Sequence, residues 1–233
     1  METLPLPQEM TIKENSSKEA QIVITPCYPG YGTTLGNALR RVLLSSLEGA
    51  AATAVKIKNA THEFTTLTHV KEDMIEVILN LKGLRFNMET DEPQELHLSV
   101  KGEKKVTGKD FKKNTLVKIV NLDHHIATLT DKSAEFELHL RVERGLGYVP
   151  VEMRMKEKLP VNYIAIDAIY TPLRNVNFKI EHVRVGEMTN YDKLILDIVT
   201  DGSIEPREAL KISAQILNDH FQFIASGEMK IIK

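Results

Sequence analysis

The chain has 233 residues, room for one large or two small domains at roughly 150 residues each, and a polypeptide of this size buries about 70% of its surface without a metal or disulfide staple. Thirty Lys and Arg against 32 Asp and Glu leave a net charge of -2, which removes the counterion-release drive of a basic nucleic-acid or membrane binder. A 42% hydrophobic and 27% charged composition excludes a disordered chain, and the single cysteine, Cys27, excludes an intrachain disulfide, a CxxC zinc site or an iron-sulfur cluster and points to a reducing compartment.

Taken in order, residues 21–25 are the first strand signal, rich in β-branched side chains. Gly30 and Gly32 in PGYGTT then punctuate a turn, and Thr33 or Thr34 is placed to cap. Leu35, Leu39, Val42 and Leu43 recur at i, i+4, i+7 and i+8, predicting a helix that ends near 46–49. After a strand at 54–58, a second helix is predicted from Thr68 or His69 to Lys82. In it Val70, Met74, Val77, Ile78 and Leu81 share a face, Glu72 and Asp73 lie in the first turn, and Gly83 closes the end. Strands are expected at 95–100, 116–120, 135–144 and 176–185. The clearest is Phe136, Leu138, Leu140 and Val142, with Glu135, Glu137, His139 and Arg141 between them. A strand through Leu194, Leu196 and Ile198 stops at Asp201-Gly202, and Pro206 opens a third helix running to about Ala225. The fold class is α+β. No run of about 18 apolar residues occurs, and METLPLPQEM lacks the basic flank and apolar stretch of a secretory signal, so a cytoplasmic chain is expected.

Two helices carry more apolar surface than one sheet can cover. At 100° per residue, Arg41 and Leu44 fall about 150° from the stripe of Leu35, Leu39, Val42 and Leu43, forming an outward pair suited to another chain. In the third helix Leu210, Ala214, Leu217, Phe221 and Ile224 repeat at 4-3-4-3, while Ala209, Ile212, Ile216 and Phe223 form a second stripe. Leaving several such side chains wet forgoes about 1.5–3 kcal/mol each, so self-association as a two-fold dimer is expected.

Catalytic signatures are missing: GxSxG, HExxH, GxxxxGK[ST] and clustered aspartates do not occur. His124 and His125 would point to opposite sides of a strand, so no metal site is expected there, and Gly30-Tyr31-Gly32 and Gly145-Leu146-Gly147 read as turns. A stand-alone nucleotide-processing or small-molecule enzyme would have to use His124, His125 and Asp167. Lys101, Lys104, Lys105, Lys109, Lys112 and Lys113 form a basic stretch with one aromatic, Phe111, which reads as a solvated face more than a nucleic-acid contact because stacking platforms are lacking.

LGNALRRVLLSS from Leu35, NLKG from Asn80, RGLGYVP from Arg144, IDAIYTP from Ile166 and TDGSIEPREAL from Thr200 occur in one order. In these motifs the chain resembles, over nearly its whole length, the amino-terminal part of the bacterial RNA polymerase alpha subunit. The resemblance implies a discontinuous dimerisation domain, two main helices on an antiparallel sheet, at 1–48 and 173–233. It places an inserted β-rich domain carrying one helix at 49–172. It implies pairing through Leu35, Leu39, Val42, Leu43, Leu210, Leu217, Phe221 and Ile224, a beta-subunit contact at Arg41 and Leu44, and a beta-prime contact at Lys82 and Ile166 with Asp167 adjacent. Such a chain belongs to a nucleotidyltransferase that uses ribonucleoside triphosphates, yet has no catalytic residue, metal or cofactor of its own. Omega and sigma would be indirect partners, and DNA would be met only through the assembled enzyme, at the nucleoid. The sequence departs from the family at Pro29, where an arginine is common, and the family's separate DNA-contacting carboxy-terminal domain has no counterpart after Lys233.

Overall fold

In a computed structural model that describes residues 4–154 and 159–227, the chain forms two compact units, Met1–Leu47 with Leu173–Lys233, and Glu48–Pro172. The first unit opens with β1 (Glu9–Ser16), β2 (Glu19–Cys27) and α1 (Tyr31–Ser45). The second contains β3 (Glu48–Ile57), α2 (Met74–Lys82), β4 (Phe86–Met88), β5 (Gln94–Lys101), β6 (Lys104–Thr107) and β7 (Val117–Ile119). It continues through β8 (His125–Leu129), β9 (Glu135–Leu146), β10 (Tyr148–Val149), β11 (Ile164–Ala165) and β12 (Ala168–Ile169). The chain returns to the first unit with β13 (Leu173–Val185), β14 (Met188–Thr200) and α3 (Pro206–Ser226).

The first unit is an antiparallel sheet, β1-β2-β14-β13, with both helices packed on it. Ile22, Val176, Leu196 and Ile198 supply its apolar face, and Leu39, Leu43, Leu47, Ala209 and Leu210 close the core. Helix α1 lies low on the sheet because Gly36 has no side chain to hold it off. A Cβ there would stand 2.6 Å from Phe178 Cδ2 and 2.9 Å from Leu194 Cδ1. The helix is capped from a distant strand rather than by Thr33 or Thr34: the buried Asp192 of β14 accepts from the amides of Gly30 at 2.9 Å and Gly32 at 3.1 Å. An anion thus sits where the helix dipole is positive, and Gly30 reaches it at φ 85°, a conformation that favours glycine.

The second unit is built on a sheet ordered β5-β9-β3-β4-β7, with β11 added to β3. Phe136, Leu138, Leu140 and Val142 are buried along β9 as their alternation predicts, and α2 contributes Met74, Val77 and Leu81 to the same core. Helix α2 is five or six residues shorter at its start than its periodicity suggests. Val70 is drawn into a bridge with Leu129 of β8, so the backbone before Asp73 is not helical, and Asp73 caps the helix by accepting from the Glu76 amide at 2.7 Å. The two ends of this unit lie together, since a Cβ on Gly49 would fall 1.8 Å from the Tyr170 carbonyl oxygen.

Candidate functional site

Two surfaces, one in each unit, hold the residues singled out by sequence. On the first, α1 presents Arg41 to solvent, and among the described residues its guanidinium has no hydrogen-bond or ion-pair partner. Its neighbour Arg40 is tied down, its Nε donating to the Val176 carbonyl at 3.1 Å. Arg41 borders a shallow groove of about 740 Å³ with Asn37, Val42, Phe178 and Leu217. Leu44 is not the fully outward partner that helical angle suggests: it is half-buried against the unit's own core. The stripe that faces the sheet runs through Gly32, Gly36, Leu39 and Leu43, rotated from the one that leucine and valine alone define, because the two buried glycines carry no hydrophobic signal.

Helix α3 divides along its length. Ala209, Leu210 and Ser213 are buried, Ile216 and Leu217 are half-buried, and from Asn218 to Gly227 every residue is exposed. Phe221 is 62% exposed, Phe223 77% and Ile224 65%. The residues assigned to dimerisation therefore separate. Leu39, Leu43 and Leu210 are core of their own unit, Leu35, Val42 and Leu217 are half-buried, and only Phe221 and Ile224 are fully presented. Both stripes of α3 are apolar, so periodicity could not say which one meets the sheet.

On the second unit, Lys82 ends α2 and donates to Asp167 at 3.0 Å. The Val151 amide donates to the other Asp167 oxygen at 3.0 Å. Those bonds, the Val151 amide first and then the Lys82 ammonium, hold the Asp167 carboxyl below the usual carboxylate range. The Lys82 ammonium also stands 5.5 Å over the ring of Tyr148, an exposed aromatic that sequence reading did not single out. Ile166 is 2% exposed and belongs to the core, so its side chain is not a surface contact. The next residue, Asp167, carries the polar edge instead, and Arg154 ties β3 to the link between β11 and β12 by donating to the carbonyls of Thr53 and Ile166.

The three polar residues of the enzyme alternative have separate structural partners. His124 donates from Nε2 to the Asn80 carbonyl at 2.9 Å near the end of α2, while His125 Nε2 meets Glu72 at 2.8 Å. Burial raises the Glu72 carboxyl, but the bonds from the Thr128 amide, His125 and the Thr128 hydroxyl outweigh it and leave the group below its ordinary value. Much of the basic stretch is neutralised in place: Lys101 pairs with Glu135, Lys104 with Asp110 and Lys109 with Asp123, while Phe111 is buried.

The geometry defines an α+β chain in which a β-rich unit is inserted into a helix-on-sheet unit. The model for the RNA polymerase Rpb3/RpoA insert domain matches residues 55–171, within the second unit. The chain is 50% identical over 199 residues to the DNA-directed RNA polymerase subunit alpha of Clostridium perfringens strain 13, covering 85% of this chain and 63% of that protein. It is 45% identical over 218 residues to the corresponding subunit of Symbiobacterium thermophilum, covering 94% of this chain and 69% of that one. The chain belongs to the DNA-directed RNA polymerase alpha-subunit family. It spans about two thirds of the length of these relatives. No described helix is long and apolar enough to cross a membrane.

Proposed function

We propose that two copies of the chain pair through α1 and α3 and that the pair is the platform on which the beta and beta-prime subunits of a cytoplasmic, nucleoid-associated RNA polymerase assemble. The observation that carries this reading is the wet apolar end of α3, where Phe221, Phe223 and Ile224 are all more than 60% exposed in the single chain. Burying each would recover about 1.5–3 kcal/mol, and a two-fold partner offering the same face covers Phe221 and Ile224, which share one stripe of the helix. Nucleotidyl transfer occurs on the large subunits, with no catalytic residue, catalytic metal or cofactor supplied here. Omega and sigma join indirectly, and DNA is met through the assembled enzyme.

Arg41 takes the beta contact, with Leu44 as its half-buried support, and the Lys82, Asp167 and Tyr148 edge takes the beta-prime contact. Because a two-fold dimer presents each face twice while the large subunits differ, each copy uses mainly one of its two contact sets. Arg41→Ala tests this. Sedimentation should still give a dimer, while capture of beta falls, with a loss of about 2 kcal/mol or more if the guanidinium is desolvated at the centre of the contact. Unchanged capture would discard the role given to Arg41. Phe221→Ser should shift the chain from dimer to monomer without lowering its own stability, since the ring has little cover to lose.

A further inference from the structure

The outer face of the β5–β9 pair carries a cluster that the assembly reading does not use. On a strand, residues i and i+2 share a face, and the residue directly opposite on the next strand completes a triangle. Glu137 and His139 are such a pair on β9, and the register sets His97 of β5 opposite His139. One ligand atom from each of the three lies within 4.8 Å of the others. His97 Nε2 already meets Glu137 at 3.0 Å, and the two imidazoles stand 4.6 Å apart, centre to centre. The three side chains are 22–36% exposed, open enough for an ion to enter and sheltered enough to hold their rotamers.

The ring of His139 is also held from behind. His139 Nδ1 hydrogen-bonds Glu95 at 2.7 Å, and the Tyr163 hydroxyl donates to the other Glu95 oxygen. Burial and that bond push the Tyr163 phenol up to about 12, so it stays a donor, and its hydroxyl leads the groups that hold the Glu95 carboxyl below its ordinary value. A carboxylate that orients one ring nitrogen while the other faces a ligand position is the usual support of a metal-binding histidine.

We propose that His97, Glu137 and His139 form a divalent transition-metal site, with zinc favoured by the two imidazoles and one carboxylate and the fourth position left to water. The metal takes neutral imidazoles and an ionised carboxylate, so protons compete with it and uptake weakens in acid. Lys58, 3.9 Å from Glu137, and Lys56, opposite His139 in register, are the cations the metal must outcompete.

The test is calorimetric titration of the purified chain with zinc ion, repeated with cobalt ion to read tetrahedral geometry from its absorption. One saturable equivalent is expected. His97→Ala and His139→Ala should each lose at least about a hundredfold in affinity, the near-isosteric Glu137→Gln should also weaken it, and Glu95→Gln should cost about tenfold by loosening its hold on the His139 ring. His62→Ala, an exposed histidine elsewhere, should bind as the parent does, and thermal unfolding verifies that each variant folds. Absence of saturable binding, or binding that survives both His97→Ala and His139→Ala, overturns the site. Neither result bears on dimerisation, which is read on the other unit.

Discussion

At the scale of single residues, the smallest side chain sets the tightest constraint. Gly36→Ala gains about 1 kcal/mol of helix propensity, but its Cβ must enter space held by Phe178 and Leu194. Overpacking of this kind costs about 1–3 kcal/mol, so the variant should be less stable in denaturant unfolding despite being the better helix former. Glu72 makes the corresponding argument for charge. Its folded-state value is depressed, so folding favours the ionised carboxylate. That contribution is complete above the value of an unfolded glutamate and fades as pH falls through the lower folded-state value. Glu72→Gln should therefore lose about 1–3 kcal/mol at neutral pH, and the gap to the parent should narrow in acid. Of the contact residues named from sequence, Arg41 is exposed, while Lys82 and Asp167 are part-buried in their own ion pair. Sequence reading misplaced Ile166 and Leu44 because burial at these positions depends on strands far off in sequence, and it passed over Tyr148 because a lone aromatic after a glycine carries no period.

At the scale of elements, periodicity worked where one face is dry and the other wet. The β9 alternation and the Pro206 start of α3 needed nothing beyond local sequence. Strand β1 escaped notice because seven of its eight residues are exposed, leaving no alternation to read, and its existence depends on pairing with β2. The cap of α1 was equally hidden, since its acceptor lies some 160 residues away on β14. Asp192→Ala leaves the amides of the exposed Gly30 and the buried Gly32 without their acceptor, and about 1–3 kcal/mol of stability should disappear in a chemical denaturation curve. By contrast Thr34→Ala, whose hydroxyl only donates back to the Gly30 carbonyl, should change stability by less than about 0.5 kcal/mol.

At the scale of the whole molecule, the division into Met1–Leu47 with Leu173–Lys233 and Glu48–Pro172 gives each unit its own core. A fragment comprising Glu48–Pro172 should fold alone with a cooperative thermal transition, because the apolar faces of β9 and α2 close on each other inside it. Its departure and return points are neighbours at Gly49 and Tyr170, and in the other unit Leu47 and Leu173 sit in one cluster. Residues added to or trimmed from the insert's folded interior leave the meeting of Gly49 with Tyr170 unchanged, and while the insert is unfolded each doubling of its length raises the cost of closing the loop by only about 0.6 kcal/mol.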